Sequence, residues 1–135
     1  MIYVRTSTDP LFNYAECEEM YNACKDKIQD GDFEDIVKNT MFYAFYITQT
    51  NELIGCIYYF LNGRKLMLNA FSGRKHHELN LECLKESMNW YKERNIYANA
   101  IQPTSRLCLL RCGFERVKGN LFRYRRRNNG RKVKL

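Results

Sequence analysis

Two hydrophobic rhythms divide the chain. Tyr14, Cys17, Tyr21, Cys24 and Ile28 recur at steps of three and four, the spacing that gathers side chains into one stripe of an amphipathic helix. Leu81, Leu84, Met88 and Tyr91 repeat that spacing and predict a longer helix from about residue 78 to 94. Between them lie TMFYAFYIT (40–48) and ELIGCIYYFL (52–61), β-branched and aromatic runs that suit a pleated surface. The intervening QTN makes them an antiparallel hairpin. NGR at 62–64 supplies an Asn-Gly turn before a third strand, KLMLNAF. IYVRT (2–6), NIYANAI (95–101) and LFRYRR (121–126) read as further strands, and FEDIVKN (33–39) and PTSRLCLLRCG (103–113) as short helices. Pro103 near the start of the latter and Gly113 at its stop fit helix-end chemistry. STDP offers cap and turn residues for the first helix, with Pro10 near its first position, and QDGD ends it.

The predicted order is strand, helix, helix, three antiparallel strands, helix, strand, helix, strand. That is an α/β domain with a mixed, largely antiparallel twisted sheet. Near-continuous apolarity in the strands requires helices on both faces. The aromatics of MFYAFYIT and IYYFL are therefore core and sheet surface first; several facing outward together would mark a protein interface.

At 135 residues, 45% of them apolar, the chain fits one globular domain. MIYVRTSTDP has no basic segment followed by an apolar one, and the apolar runs are strand-sized, so the expectation is a soluble cytoplasmic protein without a membrane segment. Cys17, Cys24, Cys56, Cys83, Cys108 and Cys112 form no CxxC pair and no Cys/His zinc spacing. Reduced thiols at helical spacing, and no metal, are expected.

Charge changes the picture at the C-terminus. Residues 123–134 hold seven bases and no acid, against a net charge of +7 for the whole chain, so the rest is neutral. A domain spanning 1–122 is thus followed by residues 123–135, a last strand and basic tail. Arg123, Arg125, Arg126, Arg127, Arg131, Lys132 and Lys134 can neutralise phosphates and release counterions, with Tyr124 placed to stack on a base. The plainer alternatives are a solubilising tail or a docking arm for an acidic protein surface.

The order of elements, and SRLCLLRCGFERVKGNLFRYRR with its helix ending in Cys-Gly-Phe before a final strand, resemble the GNAT superfamily of acyl-CoA N-acyltransferases from IYVRTSTD to about Arg127. The resemblance implies acetyl-CoA as cofactor and an amine as acceptor. In that family a Q/R-x-x-G-x-G/A loop opens the long helix and holds pyrophosphate on backbone N–H groups and the helix dipole. The corresponding residues are Arg74, Lys75, His76, His77, Glu78 and Leu79, with His77 and Leu79 in the glycine positions, where their side chains would crowd the approach. By the same resemblance the cofactor lies against residues 72–79, including Ser72, Gly73, Arg74 and Lys75. The acyl group then lies near Asn69 and Ala70, and the family's upstream Asn falls on Gln102. Its proton-donating Tyr falls on Leu109, which cannot donate.

His76 and His77 are candidate bases, because imidazole titrates near neutral pH; the plainer reading is exposed polar residues at a helix start. Glu52 and Glu78 can relay an amine proton through water, and Ser105 can orient substrate, although helix capping by Thr104 or Ser105 is the commoner role. FSGRKHHE and the Tyr-less SRLCLLRCGF also resemble small GNAT-like proteins of tailed phages. That implies the alternative of a noncatalytic virion protein, in the host cytoplasm or the particle, binding protein or nucleic acid.

Overall fold

The computed structural model describes residues 1–28, 30–73 and 75–126, with the backbone alone for Lys27 and His77. The elements are β1 (Ile2–Thr6), α1 (Tyr14–Cys24), α2 (Phe33–Asn39), β2 (Met41–Ile47), β3 (Leu53–Asn62), β4 (Lys65–Ser72), α3 (His77–Met88), β5 (Ile96–Asn99), α4 (Pro103–Arg111), β6 (Glu115–Lys118) and β7 (Leu121–Tyr124). They form one mixed sheet in the order β1-β2-β3-β4-β5-β7-β6, in which β4 and β5 are parallel and every other neighbouring pair is antiparallel.

Alternation along the strands splits the interior into two cores, one on each face. Ile57, Tyr59, Leu66, Leu68 and Ile96 pack under Cys83, Leu84 and Met88 of α3, Leu109 of α4 and Cys112 at the C-cap of α4. On the other face Phe42, Tyr58 and Phe71 meet Cys17 and Tyr21 of α1 and Phe33 and Ile36 of α2. The strand aromatics are mostly interior, as their pattern requires: Phe42, Phe45, Tyr46, Tyr58 and Tyr59 are all buried. All six cysteines are free thiols, with Cys24 and Cys108 only partly buried.

Helix ends follow side-chain chemistry more closely than hydrophobic spacing. Asn13, rather than STDP, caps α1, its Oδ1 accepting the Glu16 N–H at 3.1 Å. STDP instead forms a turn in which Asp9 Oδ1 accepts the Leu11 N–H at 2.8 Å. Asp32 caps α2 through the Asp35 N–H. Thr104 and Ser105 do not cap α4: Gln102 holds that position, without a side-chain bond, and both hydroxyl residues are exposed in the first turn. At the other end of α4 the Phe114 N–H bonds Leu109 O and the Gly113 N–H bonds Leu110 O, each at 3.0 Å. This reciprocal pair needs a left-handed residue between helix and strand, and Gly113 supplies it with φ +95°.

Two boundaries differ from the sequence expectation. α3 ends at Met88, and Asn89–Tyr91 tightens into a 3-10 turn. β6 is an additional strand, pairing with β7 around Gly119 and Asn120. Its four residues, Glu115 to Lys118, are all exposed on the rim of the sheet, so no buried alternation announces it.

Candidate functional site

Parallel pairing of β4 with β5 lasts for only two residues, Leu66 with Ile96 and Met67 with Tyr97. β4 continues to Ser72, still paired with β3, while β5 continues to Asn99 on β7. The sheet is therefore split between Leu68–Ser72 and Ala98–Asn99, leaving two facing edges without a shared ladder. Because these strands are parallel, the loops into α3 and α4 leave from the same end of the split. Such a carboxyl-end crevice is where open α/β sheets take ligands.

On the β4 lip the Ala70 N–H is taken by the neighbouring Asn69 Oδ1 at 2.8 Å. The Asn69 amide donates in turn to Asp30 Oδ2, which also accepts the Tyr58 hydroxyl at 2.7 Å. Asn69 thus faces the α1–α2 side of the sheet and is engaged there. Ser72 Oγ accepts from Asn80 at 2.9 Å, and Ser72 O lies 3.6 Å from the Cys24 thiol.

The loop into α3 carries the charged groups. Lys75 Nζ lies 2.8 Å from Glu52 Oε2, and His76 Nε2 lies 3.6 Å from the same oxygen. The latter is too long for a hydrogen bond, and Nε2 is buried without a hydrogen-bond partner. The Lys75 hydrogen bond holds the Glu52 carboxyl below the usual carboxylate range. Glu52 precedes β3, so it draws Lys75 and His76 toward the β3 edge of β4, opposite the split.

His76 is the N-cap of α3 and makes no side-chain cap bond, so the opening amides of the helix have no side-chain acceptor at that position. Leu79, where the resemblance puts a glycine, packs against the α3–α4 core and so does not crowd the loop. Glu78, Gln102 and Ser105 are exposed on the first turns of α3 and α4. Arg74 and the His77 side chain lie outside the described residues.

Leu109 is 6% exposed and belongs to the α3–α4 core. Its neighbour Cys108 is half-buried, and a hydrogen bond from Cys112 lowers its thiol to about 7, whereas Cys112 itself is pushed far up.

Two of the basic residues, Arg126 and Arg123, are engaged by neighbouring elements. Arg126 forks onto backbone carbonyls at the end of α3 and the turn beyond it, reaching Met88 O, Tyr91 O at 3.1 Å and Arg94 O at 3.3 Å. Its guanidinium also lies 4.8 Å from the Tyr124 ring centre. Arg123 reaches Glu115 at 3.4 Å across the β6–β7 hairpin. Glu115 takes only one guanidinium nitrogen of Arg123, whose Nε is buried without a hydrogen-bond partner. Arg125 is exposed; Arg127, Arg131, Lys132 and Lys134 lie outside the described residues.

The groups that sequence reasoning missed come from afar. Asp30 reaches the site from the α1–α2 connection, meeting Tyr58 and Asn69, both far along the chain, and carries no local signal. Among the described residues no three metal-ligating side chains come together, and no helix is long and apolar enough to cross a membrane.

This sheet, split beside α3 and α4 with helices on both faces, is the GNAT acyltransferase fold. Among solved structures, an acyl-CoA N-acyltransferase from Pseudomonas aeruginosa superposes with a TM-score of 0.66 at 11% identity, over 93% of this chain and 99% of its own. An acetyltransferase from Agrobacterium tumefaciens gives 0.67 at 12% identity, over 91% of each chain. Spermidine N-acetyltransferase from Vibrio cholerae gives 0.65 at 10%, over 90% and 92%. At such identities the likeness is one of fold. No protein-family model matches the sequence, and no curated protein matches it significantly.

Proposed function

We propose that this chain is an N-acyltransferase of GNAT type that moves an acetyl group from acetyl-CoA to an amine. The observation that carries the reading is the split. Its β4 lip offers an unpaired strand edge, and the amide-bearing pantetheine arm can add to such an edge as a peptide strand does. When bound, acetyl-CoA supplies an acyl thioester whose C–S bond breaks as an amine nitrogen forms the new C–N bond, the proton lost by nitrogen ending on the thiol.

The residues present suit that molecule. The Ala70 N–H becomes a donor to a carbonyl once Asn69 Oδ1 releases it. The uncapped start of α3 and Lys75 attract pyrophosphate, with Ser72 and Gly73 carrying the backbone toward it and Arg74 in the family's basic position. Leu79, turned into the core, leaves the approach open on its side. At the mouth, exposed Glu78 can pass an amine proton to water, Ser105 can orient the acceptor, and Gln102 can hold a polar group of the cofactor.

A second reading is a noncatalytic GNAT-like protein of a tailed-phage particle, binding protein or nucleic acid through its basic tail. Leu109 favours it, since a core leucine stands where the family resemblance puts the proton-donating tyrosine. Titration calorimetry with acetyl-CoA separates the two. The transferase reading expects saturable one-to-one binding and, at a ligand concentration about 100 times Kd, roughly 2.7 kcal/mol of added stability in a thermal melt. Absence of both leaves the noncatalytic reading.

A further inference from the structure

We propose that the sheet face formed by β5, β7 and the start of β4, on the side away from α3 and α4, binds single-stranded nucleic acid. Tyr97 is the stacking platform, and Lys65, Arg123 and Arg125 are the phosphate contacts. The inference goes beyond the N-acyltransferase reading and does not depend on it. Ile96, Ala98, Phe122 and Tyr124 face the α3–α4 core, so alternation turns Tyr97, Asn99, Leu121 and Arg123 to the opposite face. The core beneath α1 and α2 draws its strand residues from β1 to β4, with none from β5, β6 or β7 among the described residues. Tyr97 and Arg123 stay half-buried there, and Asn99 and Arg125 are exposed.

This face sets an aromatic ring among cations. Lys65 Nζ lies 5.5 Å from the centre of the Tyr97 ring. Arg123 stands directly opposite Tyr97 in the β5–β7 ladder, so cations on the two neighbouring strands flank the ring. Glu115 is the only acid in β4, β5, β6 and β7, and it meets Arg123 through one nitrogen at 3.4 Å. Asp30, at the border of the face, is already held by Tyr58 and Asn69. Cations with so little opposing charge attract a polyanion. The ring adds a preference for one with planar groups, and unpaired bases are the ones that can lie on it. A base that takes the place of Lys65 on the ring leaves the ammonium to the adjoining phosphate. Past Arg125 the sequence continues through Arg127, Arg131, Lys132 and Lys134 without an acid, so the charge that holds a phosphate backbone extends beyond the sheet. Tyr124 instead packs toward the α3–α4 core, with Arg126 over its ring, so stacking falls to Tyr97.

The test is fluorescence anisotropy of a fluorescein-labelled oligothymidylate, about fifteen nucleotides long to span one site, titrated with the full-length chain beside a duplex of the same length. Saturable binding of the single strand is expected, with the duplex at least about fivefold weaker. Tyr97→Ala, and Tyr97→Leu, which keeps apolar bulk without a ring, are each expected to weaken the single strand about fivefold or more, while Tyr97→Phe binds as the natural chain does. Arg125→Gln, at an exposed position, is expected to lower the slope of log affinity against log salt by about 0.7. No saturable binding, equal affinity for the duplex, or an unchanged salt slope in Arg125→Gln would overturn the proposal. So would natural affinity in both Tyr97→Ala and Tyr97→Leu, which would leave the binding to the basic tail. Displacement by poly-glutamate as readily as by unlabelled oligothymidylate would also overturn it and mark the face as a dock for an acidic protein.

Discussion

Glu52 competes for Lys75 with any anion that approaches the start of α3. Its carboxyl is held low by the Lys75 hydrogen bond, so the tie is complete above the ordinary carboxylate range and is lost as pH falls through the depressed value. At neutral pH, Glu52→Gln frees Lys75 and is expected to tighten acetyl-CoA roughly threefold, while Lys75→Ala weakens it by a similar factor, as suits exposed charges. Calorimetry at low and at high salt checks both, the differences shrinking as salt screens them. Much of this loop was legible because Ser72 to His76 follow one another in sequence. Asp30 was not: its significance depends on Tyr58 and Asn69 arriving from two strands, and no spacing along the chain encodes such a meeting. For Leu79 the sequence suggested crowding of the loop, because residue type alone does not say which way a side chain turns.

At the scale of elements, turn chemistry and burial decided what was readable. Gly113 was recognisable as the stop of α4, and its role is sharper than a pause. A Cβ there would adopt φ +95° and meet Tyr124 Cε1 at 3.1 Å. Gly113→Ala is expected to cost about 1–3 kcal/mol, visible as a lower urea midpoint with unchanged slope. The meander β2–β3–β4 was read correctly because its strands are buried on both faces and separated by turn residues. β6 escaped because a solvated rim strand buries nothing, and Glu115, Arg116 and Lys118 resemble a polar loop. The end of α3 escaped for another reason: its apolar spacing runs on through Tyr91, but the backbone narrows to a 3-10 turn whose carbonyls are taken by Arg126.

Across the whole molecule, Arg126 joins what the chain order keeps apart, tying the exit of β7 to the end of α3. Arg126→Ala strands several carbonyls at once and is expected to lower stability by about 1–3 kcal/mol in urea unfolding. Arg126→Lys should restore only part of that, because an ammonium cannot reproduce the fork. Arg125→Ala, at an exposed neighbour, should change it by less than about 0.5 kcal/mol. The split itself has a consequence for how the chain folds. β2, β3 and β4 close through short turns, and β6 with β7 through another, so each raft of strands gathers cheaply from local contacts. Joining the rafts is different: a whole helix must be ordered before Leu66 finds Ile96, and only one further residue pair rewards the closure. The seam that opens a place for a ligand is thus the joint of the sheet held by the fewest residue pairs.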